Sequence, residues 1–368
     1  MDNELNRYWL ALNEVPKIGG SRALKLLQKI SLPHLFSSTA QHLQALGLDV
    51  VQQQAVLSPD WPLIDSYLTW LSGADNRHLI PITAPAYPIA LKNVASPPML
   101  LYAEGEPALL SQPQIAMVGT RNPSYYGKRH ANNLAAGLVQ QGLVITSGLA
   151  IGIDCECHRS ALQAEGKTIA VLGTGLANIY PKRHQKLAQE IVKQGLLVSE
   201  FSPFTQARPE HFPRRNRIVT GLSLGVIVVE AAVNSGSLIS ARCAMEQGRE
   251  VFALPGAIDN PMAAGCHHLI QQGAKLITGI IDVIDELTYI NARTNIKQTD
   301  LFEPDSEIVS LLNQPILDSV GYEVITADLI AERSQQPVNQ VLTSLIELEL
   351  DGWVIAAPGG YVRSKRRG

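Results

Sequence analysis

RPEHFPRRNRIVTGLSLGVIVVEAAVNSGSLIS, residues 208–240, decides how the rest of the chain is read. Its centre, Leu224–Val229 (LGVIVV), is an apolar, β-branched run that reads as a buried parallel strand. Ahead of it, Arg208, Arg214, Arg215 and Arg217 crowd into ten residues against one acid, Glu210. The charge of 208–217 is 4 − 1 = +3, inside a chain of net −3. Guanidiniums this close repel one another unless an anion sits among them. Behind the strand, Asn234, Ser235, Gly236 and Ser237 form a small-residue turn before a helical pattern that begins at Leu238. A helix start offers free backbone N–H groups to an oxyanion. Cation cluster, buried strand and anion-accepting turn together predict a phosphate-bearing ligand at the carboxyl edge of a sheet. A plainer alternative stands beside this one. Arginines after a proline also cover a surface or brace a helix, and Asn-Ser-Gly is common turn chemistry.

Working outward, the same texture fills residues 113–290. Apolar runs at Ile115–Val118, Val144–Thr146, Ile169–Leu172, Leu196–Ser199, Gly225–Val229, Val251–Leu254 and Lys275–Ile277 alternate with helical patterns. The helical segments are Lys128–Gln141, Asp154–Ala164, Arg183–Gln194, Leu238–Gln247 and Cys266–Gln272. This alternation predicts an α/β fold with a doubly wound, mostly parallel sheet. In such a sheet all strand carboxyl ends share one rim. The turns that follow the strands therefore converge: Gly119-Thr120-Arg121, Ser147-Gly148 onward, Gly173-Thr174-Gly175, Glu200 with the arginine loop, Glu230 to Ser237, and Pro255 to Asn260. Glycine lets a backbone come close to a phosphate, and Arg121 can fork onto two of its oxygens.

The ligand class narrows by exclusion. The first strand lacks the G-x-G-x-x-G of a dinucleotide site, and no G-x-x-x-x-G-K-[ST] occurs. The arginines spread over two distant loops, which suits several phosphates in a row. Aromatics stand beside the charges: Phe212, Tyr125, Tyr126, Phe201 and Phe204. Cations along a path with interleaved rings describe a groove for a single strand. Core packing is the alternative for each ring, and only Phe212, held among charged residues, is assigned to the groove.

The ends read differently. Residues 1–57 carry short helical patterns, at Tyr8–Asn13, Arg22–Ile30 and Leu32–Leu57. VPKIGGSRALKLL (15–27) resembles a helix-hairpin-helix turn, though an αα-hairpin closed by glycines explains it as well. Eight prolines between 58 and 112 predict an irregular connection with short strands such as Met99–Tyr102. Residues 288–306 are polar and read as a linker. Beyond it, Ile308–Leu312, Ala327–Arg333 and Val338–Leu350 read as helices, and Trp353–Ala357 with Tyr361–Arg363 as a hairpin. That order predicts a winged-helix-like domain. Its candidate reading segment, Gln336–Asp351, has Glu347, Glu349 and Asp351 and no Lys or Arg, so a protein-contact or structural role is expected. Arg363, Lys365, Arg366 and Arg367 read as a solvated tail. The expected divisions are a helical domain at 1–75, the Rossmann-like domain at 76–290, a linker at 291–304 and the winged-helix-like domain at 305–368.

Bulk composition agrees. At 368 residues, two or three domains are expected. An apolar fraction of 46% supplies a core, and a charged fraction of 17% is too low for a disordered chain. Net −3 excludes a globally basic coat while permitting a local basic groove. Four cysteines show no framework spacing; Cys155, Cys157 and His158 lack a second ligand pair, so no metal and no cofactor are expected. No segment reads as a leader or a membrane span, which predicts a soluble, reduced, cytoplasmic protein.

The motifs add up to a family resemblance. GTRNPSYYG (119–127), SGLAIGID…HR (147–159), IAVLGTGL…YP (169–181), SEF (199–201), FPRRNRIVTGLS (212–223), VVEA…SGSLISA (228–241) and GREVFALPGAIDNPMAAG (248–265) closely resemble the DNA-processing protein A family, also called Smf. The match spans roughly 80–290. The resemblance implies an extended Rossmann-like fold that binds single-stranded DNA without catalysis. It also implies a homodimer that coats incoming strands in natural transformation, and delivery of that DNA to RecA with displacement of single-strand-binding protein. On matching positions, Arg121 and the FPRRNR segment with Arg214, Arg215, Asn216 and Arg217 would serve backbone phosphates; Arg208, from the cation cluster ahead of it, is a further candidate for DNA. Phe212 would lie against a base, and Ser147, Gly148, Ser235 and Gly236 would line the same pocket. Cys155 and Cys157 depart from the small residues usual there. An enzyme is the alternative: Glu200 and Glu230 sit at strand ends near arginines, and related Rossmann-like nucleotide phosphoribohydrolases pair a carboxylate with an arginine to split an N-glycosidic bond. Bracing of the arginines is the plainer role for such a carboxylate.

Overall fold

In a computed structural model, residues 3–290 and 314–364 are described. The chain divides into two compact units, Met1–Lys297 and Gln298–Gly368. The expected linker 291–304, the expected helix Ile308–Leu312 and the basic residues Lys365, Arg366 and Arg367 lie outside the described residues. Among the described residues, no helix is long and apolar enough to cross a membrane.

The first unit opens with six helices: α1 (Asn3–Glu14), α2 (Gly20–Leu27), α3 (Leu32–Phe36), α4 (Ala40–Ala45), α5 (Val50–Leu57) and α6 (Trp61–Ser72). The turn between α1 and α2 does not present its amides outward. Ile18 is buried, and the Gly20 N–H donates to the Pro97 carbonyl at 3.2 Å. The turn is a packing contact, so the αα-hairpin reading holds and the phosphate-touching one does not. The proline-rich run is also more ordered than its composition predicts. Pro62 stands in the first turn of α6, where a missing N–H breaks no helix bond. Asp60 caps that helix, accepting from Leu63 N at 3.0 Å. Two strands follow, β1 (Arg77–Pro81) and β2 (Leu100–Gly105), with a short helix α7 (Ile89–Lys92) between them.

The sheet itself continues with β3 (Gln114–Val118), β4 (Val144–Ser147), β5 (Thr168–Val171), β6 (Leu196–Ser199), β7 (Gly225–Val228), β8 (Glu250–Ala253) and β9 (Lys275–Leu276). Its order is β1-β2-β6-β5-β4-β3-β7-β8-β9. From β6 to β9 every pair is parallel, while β1–β2 and β2–β6 are antiparallel. The chain winds one way from β3 to β6, then returns to lay β7 against the other side of β3. That is the doubly wound plan, with its switch point between β3 and β7.

The connecting helices are α8 (Tyr125–Gln140), α9 (Ile153–Gln163), α10 (Gln185–Gln194), α11 (His211–Leu222), α12 (Ser237–Glu246), α13 (Ala264–Gln271) and α14 (Ile280–Ile290). Period-2 alternation assigns each to a face. Ile115 and Met117 share a core with Leu134 and Leu138 of α8 and Cys157 and Ala161 of α9. Ala116 and Val118 share the other core with Ile218 and Val219 of α11, Ala241 and Ala244 of α12, and the N-terminal helices. Hence α8 and α9 cover one face of the sheet, and α11 the opposite one.

The second unit comprises α15 (Gln314–Ser319), α16 (Ala327–Ser334), α17 (Val338–Leu350) and a hairpin of β10 (Val354–Ala357) and β11 (Gly360–Arg363). Ile316, Ile330, Val341, Leu345, Leu348, Val354 and Val362 form its core. A bridge between Ile325 and Tyr361 ties the segment before α16 to the hairpin, which completes a winged-helix arrangement.

Candidate nucleic-acid interface

The arginine segment is helical rather than a loop, a correction with consequences. Pro213 falls in the first turn of α11, again where no N–H is needed. The buried stripe of α11 is Arg215, Ile218, Val219 and Leu222, spaced i, i+3, i+4, i+7. Arg215 therefore points inward with the apolar residues. Arg208 lies in the exposed turn ahead of the helix, its carbonyl accepting from His211 N at 3.0 Å.

Arg215 is 5% exposed. Its Nη1 donates to the carbonyls of Gly148 and Val171, at the ends of β4 and β5, and its Nε donates to Asn216 Oδ1 at 3.1 Å. Its Nη2 lies 3.8 Å from Asp154 Oδ2 on α9. Asp154 in turn accepts from the amides of Gly148 (3.2 Å) and Ala150 (3.3 Å). Burial lowers the Arg215 pKa, an effect that Asp154 opposes; burial raises that of Asp154, an effect that Arg215 opposes. The pair stitches α11 to α9 through the sheet edge. A Cβ on Gly148 would collide with the guanidinium, so the glycine there makes room for Arg215 rather than for a ligand. Ser147 is fully buried, and its hydroxyl donates to the Met117 carbonyl at 2.6 Å. Arg215, Ser147 and Gly148, expected at the ligand surface, thus lie beneath it, while half-buried Asn216 accepts from Arg215.

Above them the geometry differs. Glu200, at the end of β6, is 7% exposed. Its Oε2 accepts from Arg214 Nη2 at 2.8 Å and from Arg217 Nη2 at 2.6 Å. Arg214 stays 60% exposed at the side chain and Arg217 only 16%. The Arg214 guanidinium also lies 5.3 Å from the Phe201 ring centre, and Phe201 stacks on His211 at 4.2 Å. Phe201 is accordingly core, as its alternative reading held. Phe212 is half-buried, packed against Gly173 at the end of β5. The exposed ring of Tyr180 stands 5.6 Å from it. The helix thus carries one exposed cation, fixed by a buried carboxylate, and a half-buried ring that pairs with exposed Tyr180.

Glu230 occupies the switch point. Its Oε1 accepts from Ser124 Oγ at 2.5 Å and its Oε2 from Ser124 N at 2.9 Å. Ser124 caps α8 through Gly127 N. A carboxylate fills the crevice where a doubly wound sheet usually binds its ligand, and it braces a helix start there. The turn after β7 is also more self-contained than expected. Ser237 N donates to Ser235 Oγ, Leu238 N to Ser235 O and Ile239 N to Gly236 O. Those amides are already engaged, so Ser235 and exposed Gly236 do not form the open anion nest that the sequence predicts. Arg121, after β3, is exposed. The backbone beside it is Gly152 at φ +87, where a side chain would strike the Thr120–Arg121 main chain.

Residues that sequence reasoning missed have readable signals. Asp154 lies in the first turn of α9, where its carboxylate accepts amides of the preceding loop. Tyr180 follows the β5 loop within a quoted motif. Lys128, Arg159 and Arg183 stand 10, 12 and 12 residues past the ends of β3, β4 and β5, and two of them carry a readable signal in the Lys-Arg-His triplets at 128–130 and 182–184. Cys155 and Cys157 are buried, with thiol pKa values raised by burial. Among the described residues, no three or more His, Cys, Asp or Glu are grouped as a metal site would require.

Residues 78–288 match the sequence profile of DNA recombination-mediator protein A, residues 302–360 that of the DprA winged helix domain, and residues 3–69 that of the SMF/DprA SAM domain. Protein Smf of Escherichia coli (strain K12) is 44% identical over 360 residues, which is 97% of this chain and 96% of that protein. The X-ray structure of DNA processing protein A from Streptococcus pneumoniae superimposes with a TM-score of 0.57 at 38% identity, over 73% of this chain and 98% of that one. The same protein from Helicobacter pylori, whose structure was described for its mode of binding single-stranded DNA, gives 0.52 at 36% identity, over 55% and 93%.

Proposed function

The chain belongs to the DNA recombination-mediator protein A family, and from that premise we propose that it binds single-stranded DNA along the strand-end rim without catalysis. Arg121, Arg208, Arg214 and Arg217 take backbone phosphates, and Phe212 lies against a base. Arg215, Ser147 and Gly148 support the surface from beneath, half-buried Asn216 accepts from Arg215, and Ser235 and Gly236 edge the surface. The observation that carries this reading is Arg214. It is an exposed guanidinium held by buried Glu200, on the same helix as Phe212, whose ring pairs with exposed Tyr180. A cation fixed in place before binding loses little freedom on meeting a phosphate, and an adjacent ring offers sequence-tolerant stacking.

The same reading takes the homodimer, transfer of the strand to RecA, displacement of single-strand-binding protein, service in natural transformation and a cytoplasmic location from the family. It keeps module boundaries at 1–75, 76–290, 291–304 and 305–368. Glu200 and Glu230 act as braces, since each carboxylate is engaged by groups of the protein itself.

Salt-titrated binding to matched single-stranded and duplex oligonucleotides tests the proposal. Single strands should bind more tightly. Arg121→Ala with Arg214→Ala should lower the log–log salt slope by about 1.4, or about 0.7 per lost phosphate contact. Equal affinity for both forms, or a slope indifferent to the double substitution, would sink the proposal. Release of free base from nucleoside monophosphates would reinstate the enzyme.

A further inference from the structure

The rim has two sides, and α11 lies on only one. On the side of α8 and α9, an open pocket of about 470 Å³ indents the strand ends. Its walls carry Arg121 from the β3–α8 connection and Lys128 from the first turn of α8, Gly152 from the β4–α9 connection and Glu156 and Arg159 from α9, and Arg183 from the β5–α10 connection. Four cations face one carboxylate, so the pocket's charge is 4 − 1 = +3. That equals the charge of residues 208–217 on the opposite face.

These cations are available. Among the described residues, Arg121, Lys128 and Arg183 make no ion pair, and Arg159 reaches Glu156 only at 3.6 Å. Buried His184 contributes no charge, because desolvation lowers its pKa. These like charges, drawn from three strand–helix units, repel one another, and an anion among them would offset that repulsion. No Phe, Tyr or Trp lines the pocket, and its one imidazole, His184, is buried. Nothing in it can stack a base, so its chemistry suits phosphate and not nucleobase.

We propose that this pocket is a second phosphate site. It takes polynucleotide phosphates beyond those held at α11, so the strand crosses the sheet edge and is gripped on both faces. The inference rests on the single-strand reading above. Arg121, at the end of the central strand β3, is the shared contact at the crossing. The phosphates are either internal diesters or the monoester at a chain end.

The test uses the full chain and Arg159→Ala with Arg183→Ala, two exposed positions whose replacement should leave the melting temperature unchanged. The probes are oligo(dT) of graded length, with and without a 5′-phosphate, in salt titrations. The variant should bind the shortest strands, about 4–6 nucleotides, as the wild type does. On longer strands its salt slope should fall by about 1.4. A 5′-phosphate that strengthens wild-type binding, with the gain lost in the variant, would identify the chain end as the occupant. If the wild type binds single strands and the variant's slope matches it at every length, the second site is refuted and the α11 site stands. If the wild type binds no single strand, both readings fall.

Discussion

Helices α11 and α17 are nearly equal in length, at 12 and 13 residues, and each occupies the place in its unit where a nucleic acid would be read. They solve the problem of charge in opposite ways. α11 carries three arginines, each tied to an acceptor: Glu200 for Arg214 and Arg217, backbone carbonyls and Asp154 for Arg215. α17 has no cation. It exposes Val338, Leu342, Ile346 and Leu350 at i+4 spacing, an apolar ridge flanked by Glu347, Glu349 and Asp351. A row at that spacing is the ridge helices use to pack on one another. Its acids repel phosphate, so the ridge suits a protein surface. What would suit α11 to phosphate is the set of buried acceptors that aim its guanidiniums; α17 has neither arginine nor such acceptors.

The largest test of that contrast is Arg215. The surface reading makes Arg215→Ala a binding defect with a flatter salt slope. The structure makes it a folding defect, because the substitution leaves Asp154 buried without its counter-charge. Breaking a buried pair costs about 3–5 kcal/mol. Denaturant unfolding should show that loss, with the salt slope of the protein that remains folded unchanged. Stability within about 1 kcal/mol of wild type would place Arg215 back on the surface.

Arg215 also shows what could be read beforehand. The strands β3 to β8 were legible because buried parallel strands leave continuous apolar runs, and their boundaries shifted by only a residue or two. The rim followed from topology alone. Arg215 was hidden because the eye sorts guanidiniums to the surface. Once 211–222 is taken as a helix, its spacing to Ile218, Val219 and Leu222 marks it as inward. Pro213 concealed that helix, as Pro62 concealed α6, since a proline reads as a breaker unless its place in the first turn is recognised. Ser147 and Glu200 could not be placed from sequence, because their roles depend on carbonyls and guanidiniums far along the chain.

A smaller effect separates the two units by pH. His158 on α9 is fully buried. Thr168 donates its hydroxyl proton to Ile145 O at 2.6 Å, so it accepts from His158 Nδ1 at 2.7 Å, leaving Nε2 unprotonated and without a partner among the described residues. Desolvation, then Arg215 and His184, lower its pKa from 6.5 to about 3. A lowered folded pKa gives stability that is present above 6.5 and is lost as pH falls toward 3. Between pH 6.5 and 5 the loss should be about 2 kcal/mol. Asp154, raised by burial, works in the opposite sense nearer its ordinary range. The unit containing α17 has no histidine, since the last in the chain is His268. Hydrogen exchange at pH 5 should therefore quicken around α9 and α11 and not in α17, and His158→Gln should remove the difference. Equal acceleration in both units would break the distinction.

The smallest expected effect tests α17 directly. Glu347→Lys with Asp351→Lys changes its charge by four units while leaving the buried Val341, Leu345 and Leu348 untouched. Both positions fall at the C-terminal end of the helix, where cations suit the dipole better than acids do, so the fold should tolerate the change. Glu349 is left alone because its Oε1 accepts from Ala356 N in the hairpin at 3.2 Å. If single or double strands run past α17 and the native acids merely weaken the contact, the new lysines will meet phosphates. The salt slope would then steepen by up to about 1.4 on single strands. If the first unit alone meets the phosphates, the new lysines gain no contact and affinity should stay within about twofold. The outcome on duplex probes is the sharper half, since a winged helix that reads DNA reads the duplex groove. A duplex affinity unmoved by four units of charge would show that α17 lies off any DNA path, and its apolar ridge would be the part of the helix left to explain.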